Sequence, residues 1–298
     1  MIHQDKEIEA AFFEIQNAFP FEDYLNGKLN RYKYIINKLE KECPNASKIL
    51  SIGAGPCDLE AILSKLGYDV TAIDDLNDLW HTLGQNRNRI LYFAKSVNIN
   101  YILSIGSLPK EEYNYYDLVL LIDILPHLHN SPRELLNYAI SSVKPNGLIL
   151  METGNSANLF NRLRALMGKS NQINIEFFYW NVGEYRGHVR EYNLSELKKV
   201  FSYHDLIDIK FEATNKTFII PSYGYFLKRL LIPFYLCLSR IHPALRNMLL
   251  ISARKPLNWE PTKPQLDKLK KFYPQIDKYN IDGDNDKSIL ELISKPKR

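Results

Sequence analysis

A glycine-containing segment at residues 48–60 has the residue types of a ligand-binding loop. A short apolar run ends at Ile52, and Gly53, Ala54 and Gly55 follow directly. Glycine lacks the Cβ atom that would hold a ligand away from the backbone, and it adopts positive φ angles without steric cost. The next residues have a helical pattern, and the amides of a helix N-terminus favour an anionic group. The segment predicts a strand, a binding loop and a helix, with a plain turn that binds nothing as the alternative.

Asp58 narrows the class of ligand that this loop can bind. A dinucleotide site has a small residue three positions after the second glycine, where a pyrophosphate rests on the helix N-terminus. The carboxylate of Asp58 at that position would repel two phosphate charges, so the loop favours a less negative ligand than NAD or FAD. The Gly-Lys-Ser/Thr ending of an NTP-binding loop is also missing, which argues against an NTPase.

Two adjacent carboxylates, Asp74 and Asp75, end a second apolar segment about twenty residues after the loop, the spacing of a ribose-binding acid. A carboxylate at a strand end can accept hydrogen bonds from both hydroxyls of a ribose. Asp74 is therefore the first candidate for binding a nucleoside.

Elements that could position these residues alternate between strand and helix from residue 46 to 155, as a parallel sheet requires. We expect strands near 48–53, 69–74, 100–105, 116–122 and 147–153, and helices near 58–66, 77–84, 87–97 and 131–143. Ligands bind such sheets beyond the carboxyl ends of the strands, where Asp74, Ser107 and Asp123 fall. A further helix near 194–204 and strands near 206–213 and 247–253 follow.

Helical periodicity at residues 5–19 and 24–41 predicts two helices that pack over the loop. Arg31 lies on the second of them, and its guanidinium could bind a carboxylate of the ligand. A solvated charge on the helix surface is the alternative.

The ordered series of motifs resembles the class I S-adenosylmethionine-dependent methyltransferases over residues 30 to 255. The family's first motif matches residues 51–57, the fourth strand matches 116–123, the turn before the fifth strand matches 143–151, and residues 187–197 resemble a segment of small-molecule members. Four positions depart from the family's usual residues: Ser51 and Ser107 replace acids, Cys57 replaces the third glycine, and Pro126 replaces a Glu.

The resemblance implies a doubly wound, mostly parallel, Rossmann-like sheet of seven strands with an N-terminal helical cap and an inserted lid. It also implies S-adenosylmethionine as the cofactor. The cofactor-binding residues that it implies are Gly53, Ala54, Gly55, Asp74, Asp75, Ser107, Leu108, Ile122 and Asp123. Arg31 joins them as the candidate for binding the methionine carboxylate of the cofactor.

Composition and segment character predict how the 298 residues are organised. We expect an N-terminal cap at 1–45, a core at 46–155 and 193–256, a lid at 156–192 and a polar tail at 257–298. The formal charge of +4 is spread thinly, unlike that of a nucleic-acid binder. Three cysteines without metal-type spacing indicate a reducing compartment, and no secretory start is visible, so we expect a cytoplasmic protein.

Two segments near the core are rich in aromatic or apolar side chains. The predicted lid could cover a substrate through its aromatic rings, or those rings could pack in the core. Residues 223–238 are apolar but are interrupted by Lys228, Arg229 and Pro233, so they are too short to span a bilayer. They could cap the substrate, form a homodimer interface or lie on a membrane surface. An acidic stretch at 282–286 lacks the register of a calcium loop.

His127 and His188 are the candidate catalytic residues. Methyl transfer to a hydroxyl requires a group that takes up a proton, and no metal-ligand spacing is visible in the sequence, so a side-chain base is expected. The resemblance implies a small-molecule acceptor, such as a hydroxyl of a sugar, quinone or secondary metabolite. A protein or tRNA methyltransferase and a non-catalytic binding subunit remain alternatives, as does a purely structural role for either histidine.

Overall fold

A computed structural model describes residues 2–105, 107–110, 112–216, 233–265, 268 and 271–272. The chain divides into two compact units, residues 1–259 and 260–298. The elements below belong to the first unit. The finer division of that unit into cap, core and lid stays a prediction.

One seven-stranded sheet forms the centre of the first unit. Its strands run in the order β3-β2-β1-β4-β5-β7-β6, and only β7 is antiparallel to its neighbours. This confirms the doubly wound, mostly parallel fold expected from the sequence. The strands are β1 (Lys48–Ile52), β2 (Asp69–Asp74), β3 (Asn100–Leu103), β4 (Tyr116–Ile122), β5 (Val143–Gly154), β6 (Ile207–Thr214) and β7 (Met248–Arg254).

Helices cover both faces of the sheet. The α-helices are α1 (Asp5–Ala18), α2 (Leu29–Glu42), α3 (Asp58–Lys65), α4 (Leu79–Thr82), α5 (Asn86–Ser96), α6 (Pro132–Ser142), α7 (Leu159–Leu166), α8 (Ile175–Tyr179) and α9 (Leu194–Phe201). Short 3-10 helices lie at Leu125–His127 and Pro243–Leu245, and residues 233–239 are helical. The described part of segment 223–238 begins at residue 233, so most of that prediction and the 282–286 stretch lie outside the described residues.

Two apolar cores result from the alternation of side chains along the central strands. Leu118 and Leu120 of β4 pack on the face covered by α1, α2, α3 and α5, whereas Val119 and Leu121 pack on the face covered by α6 and α9. Both faces are therefore buried, which explains why β4 is apolar at nearly every position.

Helices α2 and α4 are shorter than the sequence pattern predicts. Helix α2 begins at Leu29 rather than at residue 24, because Asp23 and Gly27 have φ angles of 59° and 79°, which no α-helix contains. Helix α4 is a single turn instead of the helix expected at 77–84. Apolar periodicity predicted the helices but not these local breaks.

Strand β5 begins at Val143, four residues before the predicted start. Val143 pairs with Tyr116, and the register then shifts so that Leu148 pairs with Leu118. The predicted turn is present as a bulge between these pairs, with Asn146 at φ 62°.

Candidate functional site

The glycine loop follows β1 and is held against β2. The amides of Gly53 and Ala54 donate to the carbonyl of Ile73 at 2.8 and 3.2 Å. Gly53 has φ 76°, and an added Cβ atom would lie 2.5 Å from Ile124 Cδ1, so close packing requires glycine there. At Gly55, with φ 51°, the nearest atom to an added Cβ is 4.0 Å away. The second glycine therefore leaves room beside the backbone, as a bound ligand needs.

Asp74 lies at the end of β2 and fixes the glycine loop. Its Oδ2 accepts from the amide of Gly55 at 2.8 Å, and its Oδ1 accepts from the amide of Leu76 at 2.7 Å. Burial raises the pKa of Asp74, while these two amides act in the opposite direction. Each carboxylate oxygen has a second lone pair, so Asp74 can still accept hydrogen bonds from ribose hydroxyls.

Asp58 turns toward helix α2 instead of toward the loop. Its carboxylate accepts from Lys28 Nζ at 2.9 Å and from the hydroxyl of Tyr32. The hydroxyl of Tyr101 donates to the carbonyl of Gly55 at 2.8 Å on the other side of the loop. The charge of Asp58 is thus balanced by a lysine that the sequence pattern did not assign to it.

Arg31 of α2 is half-buried, and its guanidinium contacts carboxylates at the ends of β4 and β5. Its Nη2 lies 2.5 Å from Asp123 Oδ2 and 2.6 Å from Glu152 Oε2, and its Nε donates to the same Glu152 oxygen at 3.0 Å. The Arg31 side chain is 13% exposed and that of Glu152 is fully buried. The solvated surface charge considered for Arg31 is therefore wrong. Its contact with a ligand carboxylate stays a prediction.

His127 ends the 3-10 helix after β4, and its hydrogen bond fixes its tautomer. The ring Nδ1 lies 2.7 Å from the backbone carbonyl of Arg186. A carbonyl can only accept, so Nδ1 carries the hydrogen and the neutral ring has its lone pair on Nε2. His127 can therefore accept a proton at Nε2.

The ring of His188 stands 4.8 Å from that of His127, nearly perpendicular to it. Its Nδ1 donates to Glu191 Oε1 at 2.5 Å. This hydrogen bond raises the pKa of His188 above its ordinary value, although burial acts in the opposite direction. The two candidate bases thus lie together, with His188 favoured as the cationic partner.

Backbone contacts join residues 185–190 of the predicted lid to the turn after β4. The amides of Val189 and Arg190 donate to the carbonyl of Pro126 at 2.7 and 3.2 Å. The side chain of Arg186 forms an ion pair with Asp75. Asp75, a predicted cofactor ligand, is therefore paired with Arg186 in this structure, and its contact with a cofactor stays a prediction.

The aromatic rings of α8 and the residue after it face solvent. Phe177 is 77% exposed and Trp180 is 75% exposed, whereas Tyr192 at the end of the insertion is buried. Core packing, one alternative for this insertion, is therefore wrong for the rings of α8. It is confirmed at Tyr192, whereas Tyr185 is half-buried.

The remaining predicted cofactor residues lie near the strand ends. Ser107 and Leu108 follow β3 and are exposed, and the carbonyl of Ser107 accepts from the Ser104 hydroxyl. Ile122 is the last residue of β4 and is half-buried, next to Asp123. Their contacts with a cofactor stay predictions.

Arg186, Glu191 and His81 are among the side chains at this site that were not singled out from the sequence. Arg186 and Glu191 lie in or beside the segment that resembles the family, but their partners became visible only in three dimensions. His81 is 4% exposed beside Gly55, and neither of its ring nitrogens has a hydrogen-bond partner. The sequence alone does not indicate that a histidine in a predicted helix is buried or lacks hydrogen-bond partners.

Residues 24–208 match a family model described as a methyltransferase domain. The chain belongs to this family. The match covers the glycine loop, both carboxylates and both histidines, and it confirms the family and the enzyme class inferred from the ordered motifs.

Individual relatives match shorter parts of the chain. Ubiquinone biosynthesis O-methyltransferase of Rickettsia typhi is 32% identical over 129 residues, which are 42% of this chain and 49% of that protein. The same enzyme of Rickettsia akari is 30% identical over 162 residues, 51% of this chain and 61% of that protein. The chain thus spans about half the length of the curated relatives it matches.

A solved S-adenosylmethionine-dependent methyltransferase from Archaeoglobus fulgidus is similar at 19% identity with a TM-score of 0.47, covering 82% of this chain and 99% of that one. Within the described residues, no helix has both the length and the apolar character needed to cross a bilayer.

Proposed function

We propose that this protein is an S-adenosylmethionine-dependent O-methyltransferase whose acceptor is a hydroxyl of a small molecule of the quinone or phenol class. The observation that carries the proposal is the fixed tautomer of His127, whose Nε2 is free to take a proton where β4 ends. The names of the Rickettsia relatives support oxygen as the accepting atom.

The residues at the strand ends fit the cofactor. Gly55 leaves open space beside the loop, and both oxygens of Asp74 retain a lone pair for the ribose hydroxyls. Arg31 is a candidate for the methionine carboxylate, provided that it keeps only part of its present pairing with Asp123 and Glu152. When bound, S-adenosylmethionine supplies an electrophilic methyl group on a sulfonium sulfur.

His127 contributes to methyl transfer by removing the proton of the acceptor. His127 would take the hydroxyl proton of the acceptor at Nε2 as that oxygen is methylated. The cofactor would supply the methyl carbon, and its sulfur would keep the electron pair of the broken C–S bond and leave as a neutral thioether. The adjacent His188, whose charge Glu191 supports, orients the acceptor hydroxyl through its own N–H. Residues 185–190 exclude water when they cover this point.

The proposal is tested by measuring methyl transfer to catechol and hydroquinone together with cofactor binding by calorimetry. We expect His127→Gln to lower turnover by about 10²- to 10⁴-fold while the Kd for S-adenosylmethionine changes less than about threefold. His129→Gln is the matched control, because His129 also bonds a lid carbonyl, that of Tyr185, at 2.8 Å but is exposed.

Full turnover in His127→Gln would contradict the assignment of the base. If only His188→Gln is inactive, the base lies in the lid. If the wild-type protein binds cofactor but methylates no hydroxyl acceptor, the non-catalytic alternative is the better account.

The proposal also includes a cellular location and an association state. A cytoplasmic location is supported by three free thiols, Cys43, Cys57 and Cys237. A homodimer or a peripheral membrane contact through residues 223–238 is a second expectation, which sedimentation with and without liposomes tests directly.

A further inference from the structure

A carboxyl group with one missing hydrogen bond lies beneath the glycine loop. Glu60 is the third residue of α3 and is 3% exposed. Its Oε1 accepts from the hydroxyl of Ser51 at 2.5 Å, and its Oε2 is buried without a hydrogen-bond partner. Leaving a buried polar atom unsatisfied is unfavourable, so such an atom in a native protein calls for an explanation.

The position of Ser51 suggests what the carboxyl group does. Ser51 is the penultimate residue of β1, at the motif position where the family usually has an acid. Its hydroxyl carries no charge, but Glu60 reaches back from the helix and brings a carboxyl group to the same point. The sequence departs from the motif at this position, and the carboxyl group that lies there belongs to a residue nine positions later.

The surroundings of Glu60 favour its neutral form when no ligand is present. Burial raises the pKa of Glu60 to about 8, and the negative charge of Asp58 adds to this effect. The Ser51 hydrogen bond acts in the opposite direction but is weaker. The titratable groups that interact electrostatically with Glu60 come from several elements. They are Cys57 and Asp58 beside it, Asp74 of β2, Tyr101 of β3 and Tyr24, which precedes α2.

We propose that Glu60, held by Ser51, is the charge-compensating residue for a cationic cofactor and gives up its proton when that cofactor occupies the glycine loop. The inference rests on the proposed cofactor but not on the proposed acceptor. S-adenosylmethionine carries a net positive charge, and a nearby cation favours an ionised carboxylate. The product S-adenosylhomocysteine has lost the sulfonium charge, so Glu60 regains its proton and the product is held less tightly.

Calorimetric titration at pH 7 in buffers of different ionisation enthalpy counts the protons that binding releases. We expect the wild-type protein to release roughly 0.5 to 0.9 proton on binding S-adenosylmethionine and much less on binding S-adenosylhomocysteine, since a group of pKa 8 is mostly protonated at pH 7. Glu60→Gln removes this release and lowers the preference for S-adenosylmethionine over the product by about tenfold.

Two further variants complete the test. Glu40→Gln is the matched control, because Glu40 is equally buried but bonds His3 and Tyr68 away from the loop, and its proton release should equal that of the wild type. Ser51→Asp combined with Glu60→Ala returns the acid to the strand and should restore the preference for the cationic cofactor.

The same proton release in the wild type and Glu60→Gln would overturn the inference, and so would an unchanged preference in Glu60→Gln. If Glu60→Gln does not fold, the double variant decides the test. A double variant that lacks the wild-type preference for S-adenosylmethionine over S-adenosylhomocysteine would also overturn the inference. Because all these measurements concern binding, they stand even if no hydroxyl acceptor is methylated.

Discussion

Replacing Arg31 by methionine should destabilise the protein strongly at neutral pH. The variant leaves the Glu152 carboxylate fully buried without the cation that now lies 2.6 Å from it. Breaking a buried ion pair by removing one partner costs about 3–5 kcal/mol of unfolding free energy. Asp123, whose side chain is one-third exposed, can turn to solvent and adds little to this cost.

Protonation of Glu152 sets an upper limit to that cost. A carboxyl group with an ordinary pKa near 4.3 can be protonated at pH 7 for about 3.7 kcal/mol, and at pH 5 for about 1 kcal/mol. The destabilisation by Arg31→Met should therefore shrink by about 2 to 2.7 kcal/mol between pH 7 and pH 5. Loss of packing would not depend on pH in this way.

Urea unfolding followed by circular dichroism at both pH values measures these differences. The double variant Arg31→Met and Glu152→Met removes both charges and should lie within about 1.5 kcal/mol of the wild type. Arg190→Met is the control, because the Arg190 side chain is 61% exposed in its pair with Glu196, and we expect a change below about 1 kcal/mol. A destabilisation by Arg31→Met that is the same at pH 5 and pH 7, or below 1 kcal/mol at pH 7, would refute the reasoning.

Three further predictions follow from single residues. Cys57 has φ 64° and a fully buried side chain. Thermal melts should therefore find Cys57→Gly at least as stable as Cys57→Ala, the reverse of the usual order. A clearly less stable glycine variant would contradict this. Burial lowers the pKa of His204 to about 4. As the pH falls from 6.5 to 4, the unfolding free energy of the wild type should therefore decrease by about 1 kcal/mol per pH unit more than that of His204→Gln. Urea unfolding measures both, and the same pH dependence in the two proteins would contradict the prediction. Arg186→Gln removes the half-buried ion pair with Asp75. Limited proteolysis should therefore cut residues 156–192 faster in the variant than in the wild type, at nearly unchanged global stability. Equal cleavage rates in the two proteins would contradict this.

Local patterns were sufficient to predict the seven strands of the sheet and the exact bounds of two of them. β2 and β4 have the predicted bounds, because each is a short apolar run bounded by glycine, asparagine or acidic residues. Asp74 could be placed for a related reason, since its position at the end of a strand beside the loop follows from the order of the elements alone.

Pairings between distant residues could not be predicted from the sequence. Arg31 meets Glu152 121 positions later, and Arg186 meets Asp75 111 positions earlier, so neither pair leaves a periodic signal. The Ser51–Glu60 bond spans only nine residues, but it depends on how the glycine loop turns the helix back toward the strand. Such contacts are set by tertiary packing, and one sequence shows the residues without their partners.

The two ends of the predicted lid lie next to each other after β5, and this affects how the length of the segment can change in evolution. Asn155 pairs with Tyr192, and the amide of Ser156 donates to the Tyr192 carbonyl at 2.8 Å. Doubling the length of a loop whose ends are already joined costs only about 0.6 kcal/mol. The segment between these residues can therefore be lengthened, shortened or exchanged during evolution while the strands and the glycine loop keep their places.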